Sequence, residues 1–138
     1  MHRVLLIDDS AIFRRSVRSL LGEPSQWEVC GEAENGDDGV RLCDELRPDA
    51  IVLDISMPGS DGLSVAKIIR GKHADIKLVL LSFHSSQELA KTVLGAGGNA
   101  FVVKSAAHTD LVAALNAVVN NQTYISPTLE TPKIAMTA

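Results

Sequence analysis

A chain of 138 residues with 46% hydrophobic and 22% charged content is long enough for one domain with a real core and ordinary for a globular protein. A net charge of −4 and a pI of ≈ 5.5 argue against a nucleic-acid surface, where a basic stripe is expected. Cys30 and Cys43 make neither a disulfide scaffold nor a zinc site and read as reduced packing residues. The apolar run at the N-terminus is too short for a signal peptide, and the uncharged stretch from Thr92 to Val103 is too short and Gly-rich to span a bilayer. A cytoplasmic protein with no membrane contact is expected.

In chain order, Val4 to Ile7 reads as a strand that ends at Asp8-Asp9. Ser10 is the predicted N-cap of a first helix carried by Phe13, Val17, Leu20 and Leu21 and stopped by Gly22 and Pro24. Trp27 to Ala33 is a second, alternating strand, and Asn35-Gly36 reads as a turn before a helix over 37–46. Ala50 to Leu53 is a third strand ending at Asp54. A loop through Asp61-Gly62 leads to a helix over 63–70. Lys77 to Leu81 is a fourth strand, and Ser85 with Glu88 has capping-box spacing for a helix that reaches about Leu94. Phe101 to Val103 is a fifth strand, and Thr109 is the expected cap of a last helix reaching about Asn120. Residues 123–138 lack periodicity and read as a linker or tail.

Such alternation implies βαβ units and a parallel sheet with helices on both faces. The α/β fold expected is a five-stranded sheet of order 2-1-3-4-5, with its switch point between the first and third strands. Asp8, Asp9 and Asp54 would meet there. Three clustered carboxylates oppose one another's ionisation unless a cation joins them, and an all-oxygen set suits Mg²⁺. Ser82 ends the fourth strand and Lys104 the fifth, which adds a hydroxyl and an ammonium at the same edge. A carboxylate nucleophile, a metal, a lysine and a hydroxyl are the inventory of phosphoryl transfer.

At this point the chain resembles the receiver domain of a bacterial two-component response regulator, from about Arg3 to Asn121. The motifs that carry the resemblance are Ile7-Asp8-Asp9-Ser10, Leu53-Asp54-Ile55-Ser56-Met57-Pro58 with Asp61-Gly62, Leu81-Ser82, and Phe101-Val102-Val103-Lys104. It implies a flavodoxin-like phosphorylation switch, in which Asp54 accepts phosphate from a histidine kinase or phosphotransfer protein. Asp8, Asp9, Asp54 and the Ser56 carbonyl would hold Mg²⁺. Ser82 and Phe101 would be the switch pair, with Phe101 turning inward on phosphorylation, and Lys104 would bind phosphate. The resemblance implies no enzyme beyond self-catalysed phosphoryl transfer and autodephosphorylation. The partners are the phosphodonor and, in an alternative state, a second copy.

Residues 95–101, Lys104-Ser105 and Thr123 to Pro127 are similar to receivers that precede a LuxR-type helix-turn-helix domain. Residues 1–122 are then the receiver, with the DNA-binding output domain missing from the chain, which itself would bind no nucleic acid; an excised receiver is the favoured reading. Phe83 is bulky where many receivers carry a small residue, and His84 follows it, so both are candidate modulators of the site. Three rivals stand beside this reading. One is a phosphorylation-independent receiver used as an interaction module. A flavodoxin-like nucleotide enzyme would need a phosphate-cradling loop where Asp8-Asp9-Ser10 would repel phosphate. An aspartate-nucleophile phosphatase usually has a second acid where Ser56 stands.

Overall fold

The computed structural model describes residues 1–22, 26–59 and 61–127. Its strands are β1 (His2–Ile7), β2 (Trp27–Ala33), β3 (Ala50–Asp54), β4 (Lys77–Ser82), β5 (Ala100–Val103) and a two-residue β6 (Tyr124–Ile125). Between them lie α1 (Ala11–Leu20), α2 (Gly36–Leu46), α3 (Gly62–Lys72), α4 (Gln87–Gly95) and α5 (Ala107–Val119), with a 3₁₀ turn at Lys104–Ala106 before α5. All neighbouring strands are parallel, in the order β2-β1-β3-β4-β5-β6. The order expected for the five main strands holds. Pro24, Ser60 and residues 128–138 lie outside the described residues, so the proline stop of the first helix and most of the expected tail are not described.

The apolar runs are continuous because both faces of the sheet are covered. Side chains alternate between faces with a period of two. Leu5, Ile7, Ile51, Leu53, Leu78, Leu80 and Phe101 share one core with Cys43 of α2, Ile69 of α3 and Val93 of α4. Val4, Leu6, Val52, Val79, Leu81 and Val102 share the other with Val17 of α1 and Leu111, Leu115 and Val118 of α5. Each fully buried Leu or Ile contributes about 1.5–3 kcal/mol, so these layers supply the stability against which an acidic cluster at the strand ends must be set. In β2 the alternation slips: the register with β1 shifts between Val4 and Leu5, and Cys30 falls in the irregularity.

Caps define where each connection ends. Ser10 accepts from Phe13 N–H at 3.1 Å, as its position predicts. Asn35 caps α2 by accepting from Asp38 N–H at 2.8 Å, so Asn35-Gly36 is a helix start rather than a free turn. The α4 cap is Ser86, which accepts from Leu89 N–H at 2.9 Å, one residue beyond the expected Ser85. Thr109 lies inside α5, where its hydroxyl donates to the Ala106 carbonyl at 3.0 Å. The chain after α5 packs on the sheet: Tyr124–Ile125 pairs with β5, Ser126 N–H donates to the Phe101 carbonyl at 2.9 Å, and the Ser126 hydroxyl bonds the buried Asp110 carboxylate.

Gly62 opens α3 against the loop that follows Asp54. A Cβ at this position would stand 2.4 Å from the Ile55 Cα, so the close approach requires glycine. Gly62→Ala should cost about 1–3 kcal/mol through overpacking against backbone. Urea unfolding would show this as a lower midpoint; an unchanged midpoint would mean that the loop yields freely.

Candidate functional site

The β1–β3 register sets Ile7 beside Leu53, so Asp8 and Asp54 emerge together at the carboxyl edge of the sheet. Both acids are buried, whereas Asp9 is exposed. One oxygen of each buried acid is pinned by the backbone two residues on. Ser10 N–H donates to Asp8 Oδ1 at 2.8 Å, and Ser56 N–H donates to Asp54 Oδ1 at 2.7 Å. The other oxygens face Lys104, whose Nζ lies 2.8 Å from Asp8 Oδ2 and 3.0 Å from Asp54 Oδ2. The Asp54 contact is a well-aligned hydrogen bond. Asp8 Oδ2 has the ammonium as an ion-pair partner but no aligned donor, although it is buried.

Burial pushes the Asp8 carboxyl up; the Lys104 ammonium beside it and the bond from Ser10 N–H oppose this without cancelling it, and the neighbouring Asp54 adds to it. Burial lowers the Lys104 pKa, but its ion pair with Asp8 and its hydrogen bond to Asp54 outweigh burial and hold it above the ordinary lysine value. The site is therefore an ammonium locked between two carboxylates, one of which resists ionisation.

The carboxylates of Asp8, Asp9 and Asp54 offer oxygens within 4.8 Å of one another, a spacing that can hold a metal ion. Three hard oxygen donors, one of them without an aligned donor, fit Mg²⁺ or a cation like it. Ser56 joins the cluster through its N–H, and its hydroxyl accepts from Phe83 N–H at 3.5 Å.

Ser82 is buried at the end of β4, and its hydroxyl accepts from His84 N–H at 3.0 Å. His84 thus meets Ser82 through its backbone, while the residue itself is exposed. Phe83, 62% exposed, lines a cleft of ≈ 540 Å³ together with Asp9, Ser56, Pro58, Phe13 and Lys104. Phe101 is 0% exposed and packs in the core. The ring thus stands in the inward position that the expected switch assigns to it.

Two contributors were not picked out from the sequence. Phe13, read only as part of an apolar helix face, reaches the site because the Ser10 cap sets the first turn of α1 beside Lys104. Its place three residues after the cap and four after Asp9 is the signal that could have found it. Arg14 donates to the Asp8 carbonyl and pairs with Glu32 at 2.7 Å, bracing the β1 end from α1.

Fold and site together define a doubly wound α/β domain with a carboxylate–lysine centre at its topological switch point. The match to the response regulator receiver domain covers residues 4–116, and the chain belongs to that family. Response regulator UvrY of Escherichia coli (strain K12) is 35% identical over 126 residues, 91% of this chain and 58% of UvrY. Transcriptional regulatory protein YdfI of Bacillus subtilis (strain 168) is 32% identical over 127 residues, 92% of this chain and 59% of YdfI. The chain thus spans somewhat over half the length of these relatives. A LuxR-family two-component response regulator from Aurantimonas sp. SI85-9A1 superposes with a TM-score of 0.88 at 28% identity, covering 94% of this chain and 92% of the other. The LuxR-type resemblance expected from residues 95–101, Lys104-Ser105 and 123–127 agrees with that likeness.

The raised Asp8 pKa has a thermodynamic consequence. A carboxyl raised by folding contributes stability that is full below its unfolded pKa and is lost as pH rises through the folded value. Ionised Asp8 therefore opposes folding at neutral pH. Asp8→Asn keeps an acceptor for Lys104, removes the charge, and should raise the melting temperature by roughly 2–5 °C in metal-free buffer. The gap should narrow toward about pH 4. A lower melting temperature for the variant at neutral pH would contradict the assignment.

Proposed function

We propose that Asp54 is the phosphoryl acceptor of a phosphorylation-dependent switch. The observation that supports this most is the asymmetry of its carboxylate. Oδ1 is pinned by Ser56 N–H, and Oδ2 is presented to the ammonium of Lys104 beside an open cleft. A nucleophilic oxygen needs that kind of fixed aim. Asp54 attacks phosphorus, the P–N bond of a phosphohistidine on a kinase or phosphotransfer protein breaks, and the imidazole departs with the bond's electron pair. Asp8, Asp9, Asp54 and the Ser56 carbonyl would hold Mg²⁺, which would neutralise charge on the transferring oxygens. Lys104 exchanges its carboxylate partners for a phosphoryl oxygen, and the Ser82 hydroxyl leaves His84 N–H to donate to another.

The aspartyl phosphate carries about −1.5 to −2 charges where the carboxylate carried one. Bonds to that group bias the β4–α4 and β5–α5 connections toward a second packing. Ser82 and Phe101 form the switch pair, and the inward place of the Phe101 ring is the one that the phosphorylated packing holds. Self-catalysed transfer and loss of the phosphoryl group are the whole of the chemistry, so the protein is a regulator and not a metabolic enzyme. Residues 1–122 act as the receiver, with Tyr124 to Ser126 packed on its sheet, and the output is transcriptional, as the name of the relative YdfI suggests. A second copy is a further partner state. No helix among the described residues is long and apolar enough to cross a membrane, and a cytoplasmic setting suits this reading.

Acetyl phosphate with Mg²⁺ should add one phosphoryl group to the wild type and none to Asp54→Ala, read by intact mass. Lys104→Met should slow the labelling by roughly 10²–10³-fold, the size expected for losing a preorganised charge at the reacting oxygens. Equal labelling of wild type and Asp54→Ala would overturn the acceptor.

A further inference from the structure

Lys104 meets more than acids. Its ammonium lies over the Phe13 ring, 4.6 Å from the centroid, and over the Phe83 ring at 4.7 Å. A cation over an aromatic face is attracted by the ring's quadrupole, more strongly where water is reduced. The two rings come from separate segments: Phe13 from the first turn of α1 and Phe83 from the residue after β4. Phe83 is 62% exposed, so burial of its own surface explains little of why a phenylalanine stands there. Its contact with Lys104 gives that ring a role that a shield alone would not need.

Four groups act on one nitrogen. Asp8 and Asp54 attract it as anions, and Phe13 and Phe83 attract it through their faces. All four favour the same place, between Asp8 Oδ2 and Asp54 Oδ2. The same two carboxylates belong to the acidic group that can hold a metal ion, so a divalent cation there would meet the ammonium's charge at close range. Binding of metal and retention of the ammonium on Asp8 are therefore competing states of one site.

We propose that Phe13 and Phe83 are positioning residues that hold the Lys104 ammonium as a resident counter-ion in the acidic cleft, and so set the Mg²⁺ concentration at which the site fills. This deepens the Mg²⁺-dependent reading above and rests on it. The rings favour the metal-free state, because the ammonium leaves their faces when it yields Asp8. Phe83 is the tunable member, since its exposure lets it vary without disturbing the core.

The test is a MgCl₂ titration, read by calorimetry and by melting temperature, on wild type, Phe83→Leu and Phe83→Tyr, then on Lys104→Met with and without Phe83→Leu. Leucine keeps bulk and loses the ring face; tyrosine keeps the face. Phe83→Leu should lower the Mg²⁺ dissociation constant by about two- to fivefold, and Phe83→Tyr should match wild type. In the Lys104→Met background, Phe83→Leu should change nothing, because the competing ammonium is gone. An unchanged or weaker affinity in Phe83→Leu overturns the proposal, as does the same gain with and without Lys104, which would mark Phe83 as a steric cover. If the Lys104 variants fail to fold, a tyrosine variant that behaves like the leucine variant overturns it. Wild type that binds no Mg²⁺ overturns both this inference and the metal site beneath it.

Discussion

The structure turns on one ammonium shared by two buried carboxylates. Asp8 and Asp54 stand at the ends of adjacent parallel strands, and Lys104 arrives from the end of β5, two strands away from β3. Two like charges in a buried setting oppose one another, and a positive group between them is what lets both remain. The ion pair therefore does more than decorate the cleft. It ties the last strand of the main sheet to the switch point, so whatever changes the charge at Asp54 is felt at β5.

From β5 the connection continues outward. The Phe101 carbonyl accepts from Ser126, whose hydroxyl bonds Asp110 in the first turn of α5. Tyr124 lies against the same carboxylate, and burial, with Asp110 beside it, pushes the phenol up. The stretch after α5 is therefore held by strand pairing and by a buried acid at once. Lys104 opens the 3₁₀ turn that leads directly into α5, so the site and the Asp110 anchor of Ser126 share one short segment. Rearrangement at Lys104 has a short physical route to the strand pairing of Tyr124–Ile125.

Much of this was legible in the residues. Short apolar runs closed by acids and alternating with helical patterns read as buried parallel strands with polar ends, and the β2-β1-β3-β4-β5 order fits that alternation and the switch-point rule. Asp8, Asp54, Ser82 and Lys104 fall together for that reason alone. Finer features were not legible because their chemistry is degenerate along the chain. Ser85 and Ser86 are equally able to cap, and the backbone path chose Ser86. Asn35-Gly36 suits a turn and a cap alike. Thr109 satisfies its hydroxyl inside the helix, a use that the cap pattern does not reveal. β6 is too short for periodicity to show, and the partner that secures it, Asp110, lies 16 residues away. The state of Phe101 depends on a rotamer, and no residue pattern encodes which of two packings is populated. Phe13 looked like core because it is apolar at helical spacing; only the cap geometry puts its face on a charge.

The central claim is that Lys104 is the cation that closes this site when no metal does. Nitrogen-15 NMR of the lysine side-chain ammonium tests it most directly. Without Mg²⁺, the Lys104 Nζ signal should persist with slow hydrogen exchange and couple to the carboxylates of Asp8 and Asp54. Saturating Mg²⁺ should shift it and speed its exchange, while the other lysines stay unchanged. A Lys104 signal that exchanges as fast as a surface lysine in metal-free protein would contradict the account.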